Sequence, residues 1–458
     1  MGQRSGLDIL VVWKEPRGRH TSQRFFFLLF SHTQPTHSRL SLVVFLKSTP
    51  IPTRTTTKMF RRLQSGLPKD PVFPTTLQGL GYFINDDDEI RSIDNPKAYF
   101  KYFLTKNLRF NDLQRESMNE AIRNIISDRL QGLGLETVFL PLGAAANEPH
   151  LPIFVSKGLE KKKHVIVLFY EHVQDIGIFA HRVIGGKGGI NEGSAVNFVK
   201  YVQSQTFSTE NTDSPGIILA NTGQLRWWVR GQKAVTQTTW FSLPQKSAVE
   251  PPYRFQPSKN SIPGNTTTYE HISTIFNSVI ATLAHPVAKL YLIGVSDGAV
   301  QLSHFLNDPS NFLLHGPRIA ALVTLDSYFH AHEIHNPAFA TFLQNRGRAY
   351  VRSDEPAGTY ICDAAGTKYF PANGCPTFSS GEHYYSETML ISAGKVVVDW
   401  FKEVAADREY GNPAFTRIEI GDDRDETIEA EIVSAWEKIE ESADAVGAGE
   451  SRFEEIED

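Results

Sequence analysis

The stretch "KLYLIGVSDGAVQLSHFL" (residues 289–306) decides how this chain reads. Its first seven residues are an apolar run of strand length, and residues 297–306 continue with helical spacing of apolar residues. Between them, Gly294-Val295-Ser296-Asp297-Gly298 matches G-x-S-x-G. A serine elbow needs this context: a strand, a sharp turn with the serine at its tip, then a helix. The turn leaves no room for side chains two positions away from the serine, and glycine stands at both places. The backbone N–H of Asp297 would begin the helix and offer one oxyanion donor.

Working outward, the pattern alternates. Upstream come a helix at 112–130, with Met118, Ile122, Ile125, Ile126 and Leu130 on one face, and apolar runs at 137–142 and 152–156. "HVIVLFY" (164–170) is a wholly apolar, β-branched run, as expected of a strand buried on both faces. Helices are expected at 193–203 and 267–284, with a strand at 216–221 between them. Downstream, strands at 319–325 and 348–353 alternate with helices at 336–345 and 391–404. Such alternation means βαβ crossovers and a mostly parallel sheet with helices on both faces. Two antiparallel and two parallel strands precede 289–295. The strand that carries Ser296 is then the fifth, where an α/β-hydrolase places its nucleophile. The fold class is α/β, specifically α/β-hydrolase-like, with a disordered N-terminal arm and an acidic C-terminal tail.

A working triad also needs an acid and then a histidine, in that chain order. Asp354 follows the strand at 348–353, and Asp326, the alternative acid, follows the strand at 319–325. His383 lies in "GCPTFSSGEHYYSE", before the last helix. The order Ser296, Asp354, His383 is available. Two features weigh against hydrolysis. The loop after 164–170 reads "EHVQDIGIF" and lacks the glycines that commonly bring a second oxyanion donor. Asp297 also puts a carboxylate beside a developing oxyanion.

Other motifs carry less. Asp86, Asp87 and Asp88 sit in the turn of an expected hairpin between Tyr82-Ile84 and Ile90-Ile93, without the alternating ligands and central glycine of an EF-hand. "RVIGGKGGINEGSAVNFV" (182–199) satisfies neither nucleotide fingerprint and reads as a mobile loop feeding a helix capped near Asn191. His330, His332 and His335 read as a polar loop. No zinc spacing occurs, and neither a cofactor nor a metal is expected.

Composition sets the bounds. The chain has 458 residues, 41% of them hydrophobic and 21% charged, as in ordinary globular proteins. Cys362 and Cys375 make no disulfide framework and suggest a reducing compartment. The net charge of −5 conceals an asymmetry: residues 1–58 carry nine Lys/Arg against two acids, and residues 419–458 carry sixteen acids against three Lys/Arg. The body between them shows no concentrated basic face, so direct nucleic-acid binding is not expected. No apolar run approaches the roughly 18 residues of a membrane helix, and no membrane association is expected. Three segments result. Residues 1–58 are a basic extension, expected to lie upstream of a true start at Met59 or to be a targeting segment or disordered arm. Residues 59–420 are the α/β domain. Residues 421–458 are an acidic tail with a possible amphipathic helix bearing Ile428, Ile432, Ala435, Trp436 and Ile439.

Blocks spread along the chain carry a family resemblance. "MFRRLQSGLPKDPVFPTTLQGLGYFINDDDEIRSI", "YFLTKNLRFNDLQRESMNEAIRNII", "VIVLFYEHVQDIGIFAHR", "INEGSAVNFVKYV" and "GCPTFSSGEHYYSE" together resemble fungal proteins of the Arb-two domain family, from Met59 to about Asp423. That family is named for a subunit of the argonaute siRNA chaperone complex, and a related domain ends fungal class II histone deacetylases. The resemblance implies an α/β-hydrolase-like fold and a binding or assembly role in small-RNA-directed heterochromatin silencing, with argonaute or histone and chromatin complexes as partners. It carries no catalytic role onto Ser296 and, with no deacetylase domain here, no deacetylase activity. The expected function is therefore a non-catalytic module in the nucleus, the cytoplasm or both. The alternative is a serine esterase or amidase using Ser296.

Overall fold

The computed structural model describes residues 66–67, 69–207, 213–247, 249–361 and 371–413. The basic extension 1–58, the acidic tail 421–458 and Cys362 lie outside the described residues.

The apolar runs form one sheet of eight strands. In chain order these are β1 (Leu135–Leu140), β2 (Leu151–Ser156), β3 (His164–Phe169), β4 (Gly216–Leu219), β5 (Lys289–Val295), β6 (Ile319–Leu325), β7 (Gly347–Val351) and β8 (Thr377–Ser379). Their spatial order is β8-β7-β6-β5-β3-β4-β2-β1. β2 pairs antiparallel with both β1 and β4, and all other neighbours are parallel. The crossing of β3 and β4 places β3 directly beside β5, with Phe169 opposite Gly294. This strand order is that of the α/β-hydrolase fold, as the sequence pattern implied.

Six main helices cover the sheet: α1 (Leu108–Gly132), α2 (Ala195–Gln203), α3 (268–283), α4 (Asp297–Asn307), α5 (Pro337–Arg346) and α6 (Ser386–Ala406). α3 runs Thr268–Thr274, widens into a π-helical stretch at Ile275–Ile280 and closes with Ala281–Leu283. The two faces are sorted by the period of two along each strand. On β3, Val165, Val167 and Phe169 enter one apolar cluster with Ile272, Phe276 and Phe305 from α3 and α4. Ile166 and Leu168 enter the other, with Met118, Ile126 and Val199 from α1 and α2 and Phe401 from α6. Both faces being covered explains why β3, β5 and β6 read as unbroken apolar runs. Burying each such side chain stabilises the fold by about 1.5–3 kcal/mol.

Local signals start the helices. The Asn107 side chain accepts from the Arg109 N–H at 3.1 Å and caps α1. Asn336 caps α5 with Pro337 at its first position. The cap of α2 is Ser194, which accepts from the Val196 N–H, not Asn191. The glycine stretch before it is not a loose loop but a close-packed one. A Cβ on Gly193 would lie 2.7 Å from the Ile184 nitrogen and 2.9 Å from the Ala180 oxygen. Asp88, in the hairpin turn, accepts there from the Asn191 N–H at 2.7 Å and from Arg129 at 2.8 Å.

One buried histidine ties α3 to the C-terminal end of β4. His271 is fully buried. Its Nε2 accepts from the Asn221 N–H at 3.0 Å, so Nδ1–H donates to Asn265 Oδ1 at 2.7 Å. Burial pushes its pKa down from 6.5 to about 3, so the native ring is neutral. The unfolded chain binds the proton more readily than the native state below pH 6.5. This stability is present above that pH and is lost as pH falls from 6.5 through about 3. Urea titrations are expected to show a loss of up to about 1.4 kcal/mol per pH unit in that window, and His271→Gln is expected to flatten it. An unchanged slope in the variant would remove His271 as the cause.

Candidate functional site

β5 delivers Ser296 to the C-terminal edge of the sheet in a conformation that few residues adopt. Its φ is 51° and its ψ −122°. A non-glycine residue there costs of order 1–3 kcal/mol. The turn is held from below. The Ser296 N–H donates to the Leu325 carbonyl of β6 at 2.8 Å, and the Ala299 and Val300 N–H groups donate to the Ser296 carbonyl, which starts α4. The flanking glycines are steric requirements. A Cβ on Gly294 would lie 2.5 Å from Ala299 Cα. A Cβ on Gly298 would lie 2.5 Å from the Tyr170 carbonyl oxygen and 2.6 Å from that of Phe169. The elbow is thus built against the end of β3, and the loop that follows β3 runs past it.

The other expected triad members are brought together only in part. His383 Nδ1 contacts Asp354 Oδ1. The pair lies out in solvent, with side-chain exposures of 43% and 79%. Among the described residues, no hydrogen bond joins His383 to Ser296, and Ser296 Oγ has no hydrogen-bond partner. Asp326, the alternative acid, sits at the tip of β6 with φ 48° and accepts from Arg352 Nε at 3.1 Å. Among the described residues it makes no bond to a histidine. Cys375 is no substitute nucleophile, because burial pushes its thiol up to about 12.

The charges around the elbow are mostly negative. The Asp297 carboxylate accepts from Tyr328 Oη at 3.2 Å and lies 3.6 Å from His172 Nδ1. Glu171, two residues past the end of β3, is only 7% exposed and accepts from Ser386 Oγ at 2.8 Å. Burial raises its pKa, and the nearby Glu387 and Asp326 carboxylates add to the rise. Glu387 is in turn bound by Arg182, whose guanidinium stacks on the Tyr385 ring. Sequence reading missed Glu171, His172 and Tyr328. The available signal was their position straight after buried strands, where open α/β sheets form their sites. The partners of each were not readable.

Among the described residues, no group of three or more His, Cys, Asp or Glu side chains has metal-holding geometry. His330 and His332 stack on each other, and His335 bonds to Asn307. Three roomy cavities, of about 460, 470 and 670 Å³, open elsewhere on the domain. None of these three is lined by Ser296, Asp354 or His383.

Strand order and elbow define the class: a domain of the α/β-hydrolase-like fold. The chain belongs to the Arb2 domain family, whose model matches residues 73–357. That match contains Ser296 and Asp354 and ends before His383. Among curated proteins, the chain is similar to the cotranscriptional regulator ARB2A homolog of Xenopus tropicalis, 27% identical over 139 residues, which are 30% of this chain and 33% of that protein. It is similar to the cotranscriptional regulator ARB2A of Mus musculus, 24% identical over 170 residues, covering 36% of this chain and 39% of the mouse protein. The chain therefore spans only a third or so of these relatives' lengths. Among solved structures, an arylesterase is 12% identical with a TM-score of 0.26, covering 62% of this chain and 93% of the esterase. The peroxisomal alpha-beta-hydrolase Lpx1 of Saccharomyces cerevisiae is 8% identical with a TM-score of 0.30, covering 66% of this chain and 97% of the hydrolase.

The elbow geometry makes a stability prediction that is independent of chemistry. Ser296→Gly removes the strain, whereas Ser296→Ala keeps it, so the glycine variant is expected to be the more stable by about 1 kcal/mol in chemical denaturation. Gly298→Ala is expected to destabilise by about 1–3 kcal/mol or more, because the clash is with backbone oxygens of β3 and its loop. Equal stabilities for the two serine variants would contradict the strained geometry.

Proposed function

We propose that this chain is a regulatory binding module of transcription or chromatin that uses an α/β-hydrolase-like fold as a scaffold and breaks no bond at Ser296. One observation carries the reading. The elbow is fully built, yet Ser296 Oγ has no base within hydrogen-bond reach among the described residues, and the His383–Asp354 pair is exposed to water. A general base must reach the proton it removes. The carboxylates of Asp297, Asp326 and Glu171 around the turn would oppose, not stabilise, an oxyanion. The same carboxylates suit a basic partner. The cotranscriptional regulators similar to this chain support a role in gene regulation, and hence in the nucleus. The family resemblance supports the finer reading: a binding or assembly part of small-RNA-directed heterochromatin silencing, associated with argonaute or with histones.

The second reading is a serine esterase or amidase, favoured by the strained Ser296 and by the Asp354–His383 pair. His383 would have to come within hydrogen-bond reach of Ser296 Oγ to complete it. The two readings separate cleanly. A fluorophosphonate probe is expected to leave the protein unlabelled at neutral pH, and affinity purification is expected to recover histones or argonaute in a salt-sensitive manner. Labelling of the wild type that vanishes in Ser296→Ala would replace the first reading by the second. Recovery of neither histones nor argonaute would remove the silencing assignment.

A further inference from the structure

The roomy cavity of about 460 Å³ lies away from the elbow, between α1, the loop after β3 and the segment at Thr236–Thr239. Its apolar lining includes Ile90, Phe100, Met118 and Ile122. Arg115, Glu116 and Asn119 of α1 line it, together with Asp175, His181 and Thr238 among other polar groups.

The charges in this wall do not balance. Arg123 is bound by Asp175 at 2.8 Å and by Glu120, and Lys233 also binds Glu120. Arg115 is held by Asp112 at 3.3 Å, and Arg182 by Glu387. Glu116 is left over. Among the described residues it has no ion-pair partner. Its Oε2 accepts from Thr239 Oγ1 at 2.8 Å, and its Oε1 has only a long contact of 3.4 Å from Asn119 Nδ2. Burial, with the Asp175 charge beside it, raises the Glu116 pKa, although Thr239 and the more distant Arg123 and Arg115 guanidinium groups pull it the other way. The His181 ring has no hydrogen-bond partner among the described residues, its carbonyl accepting from the Gly185 N–H at 2.9 Å. Burial lowers its pKa, so it faces the cavity as a neutral ring with a lone pair to offer.

We propose that this cavity binds an alkylammonium group, as carried by a lysine side chain of a partner peptide, with Glu116 as counterion and the apolar lining covering the alkyl stem. The chemistry matches group by group. An ammonium donates up to three hydrogen bonds. Glu116 Oε1 and the His181 ring accept them, and a cation beside Glu116 restores charge balance. Phe100, Met118 and Ile122 bury the methylenes, as amphipathic side chains require. An anionic ligand is disfavoured, since every guanidinium in the wall already holds a carboxylate. The peptide end of the inference rests on the partner-binding reading above, whereas the pocket does not.

The test uses the full chain and n-hexylammonium chloride, titrated calorimetrically at fixed ionic strength, with hexan-1-ol as the uncharged control. Saturable binding of hexylammonium is expected for the wild type. Affinity is expected to fall by about ten-fold or more for hexanol and for Glu116→Gln. Thr238→Trp, at an exposed position of the lining, is expected to block entry while leaving Glu116 in place, which covers the case in which Glu116→Gln folds poorly. Absence of saturable binding to the wild type, equal affinity for hexanol, or full affinity in Glu116→Gln would overturn the proposal. A free amine contains no peptide, so its binding survives a failure to recover histones or argonaute, and the two readings fail separately.

Discussion

The architecture turns on one close approach. The first turn of α4 runs against the carbonyl oxygens of Phe169 and Tyr170 at the end of β3, with no Cβ between them at Gly298. Gly294 allows the same closeness to Ala299. This contact forces the chain to reverse at Ser296 and pins that residue at positive φ. It also brings β3 and β5 side by side, with β4 displaced outward, and that places the loop after β3 over the elbow. The Asp297 carboxylate and the His172 ring meet because of it, while Glu171 reaches Ser386 at the start of α6. A larger residue at either glycine would separate the strand from the helix and disperse the site.

A strained serine is usually the sign of stored catalytic geometry, but strain alone does no chemistry. The scaffold here retains the turn, the hydrogen bond to β6 and the start of α4. Around the serine lie the carboxylates of Asp297, Asp326 and Glu171, with Arg352 and Arg182 bound to Asp326 and Glu387. An oxyanion would develop among carboxylates, and the His383–Asp354 pair spends its interaction in water, where it contributes little. On the proposed reading, the same arrangement serves as a surface for a basic partner. The cavity along α1 has a related character, since Glu116 lines it without an ion-pair partner among the described residues.

Much of the fold was legible because both faces of the sheet are covered. β5 and β6 coincide with the apolar runs read from sequence, and the other main strands and helices differ from them by a few residues at their ends. The exceptions have physical reasons. β8 is only three residues, Thr377–Ser379, held by pairing to β7, and "TFS" carries no apolar period. The hairpin Arg226–Trp228 with Lys233–Val235 is equally short. The 182–193 stretch looked loose because glycines mark both flexible loops and tight packing. Only the neighbouring Asp88, Ile184 and Ala180 show which applies.

By itself, the sequence determined the fold class, the position of the elbow and the order in which a serine, an acid and a histidine follow one another. These are local or periodic properties: glycine spacing, a period of two or of 3.6, and chain order. Tertiary structure alone decided that His383 meets Asp354 and not Ser296. It also decided that Glu171 and Asp326 crowd the turn, and that Glu116 lines its cavity without an ion-pair partner among the described residues. Each of these depends on a balance of burial and charge among residues tens to hundreds of positions apart. No spacing rule encodes that balance, because burial and pairing are set by which elements the sheet order brings into contact.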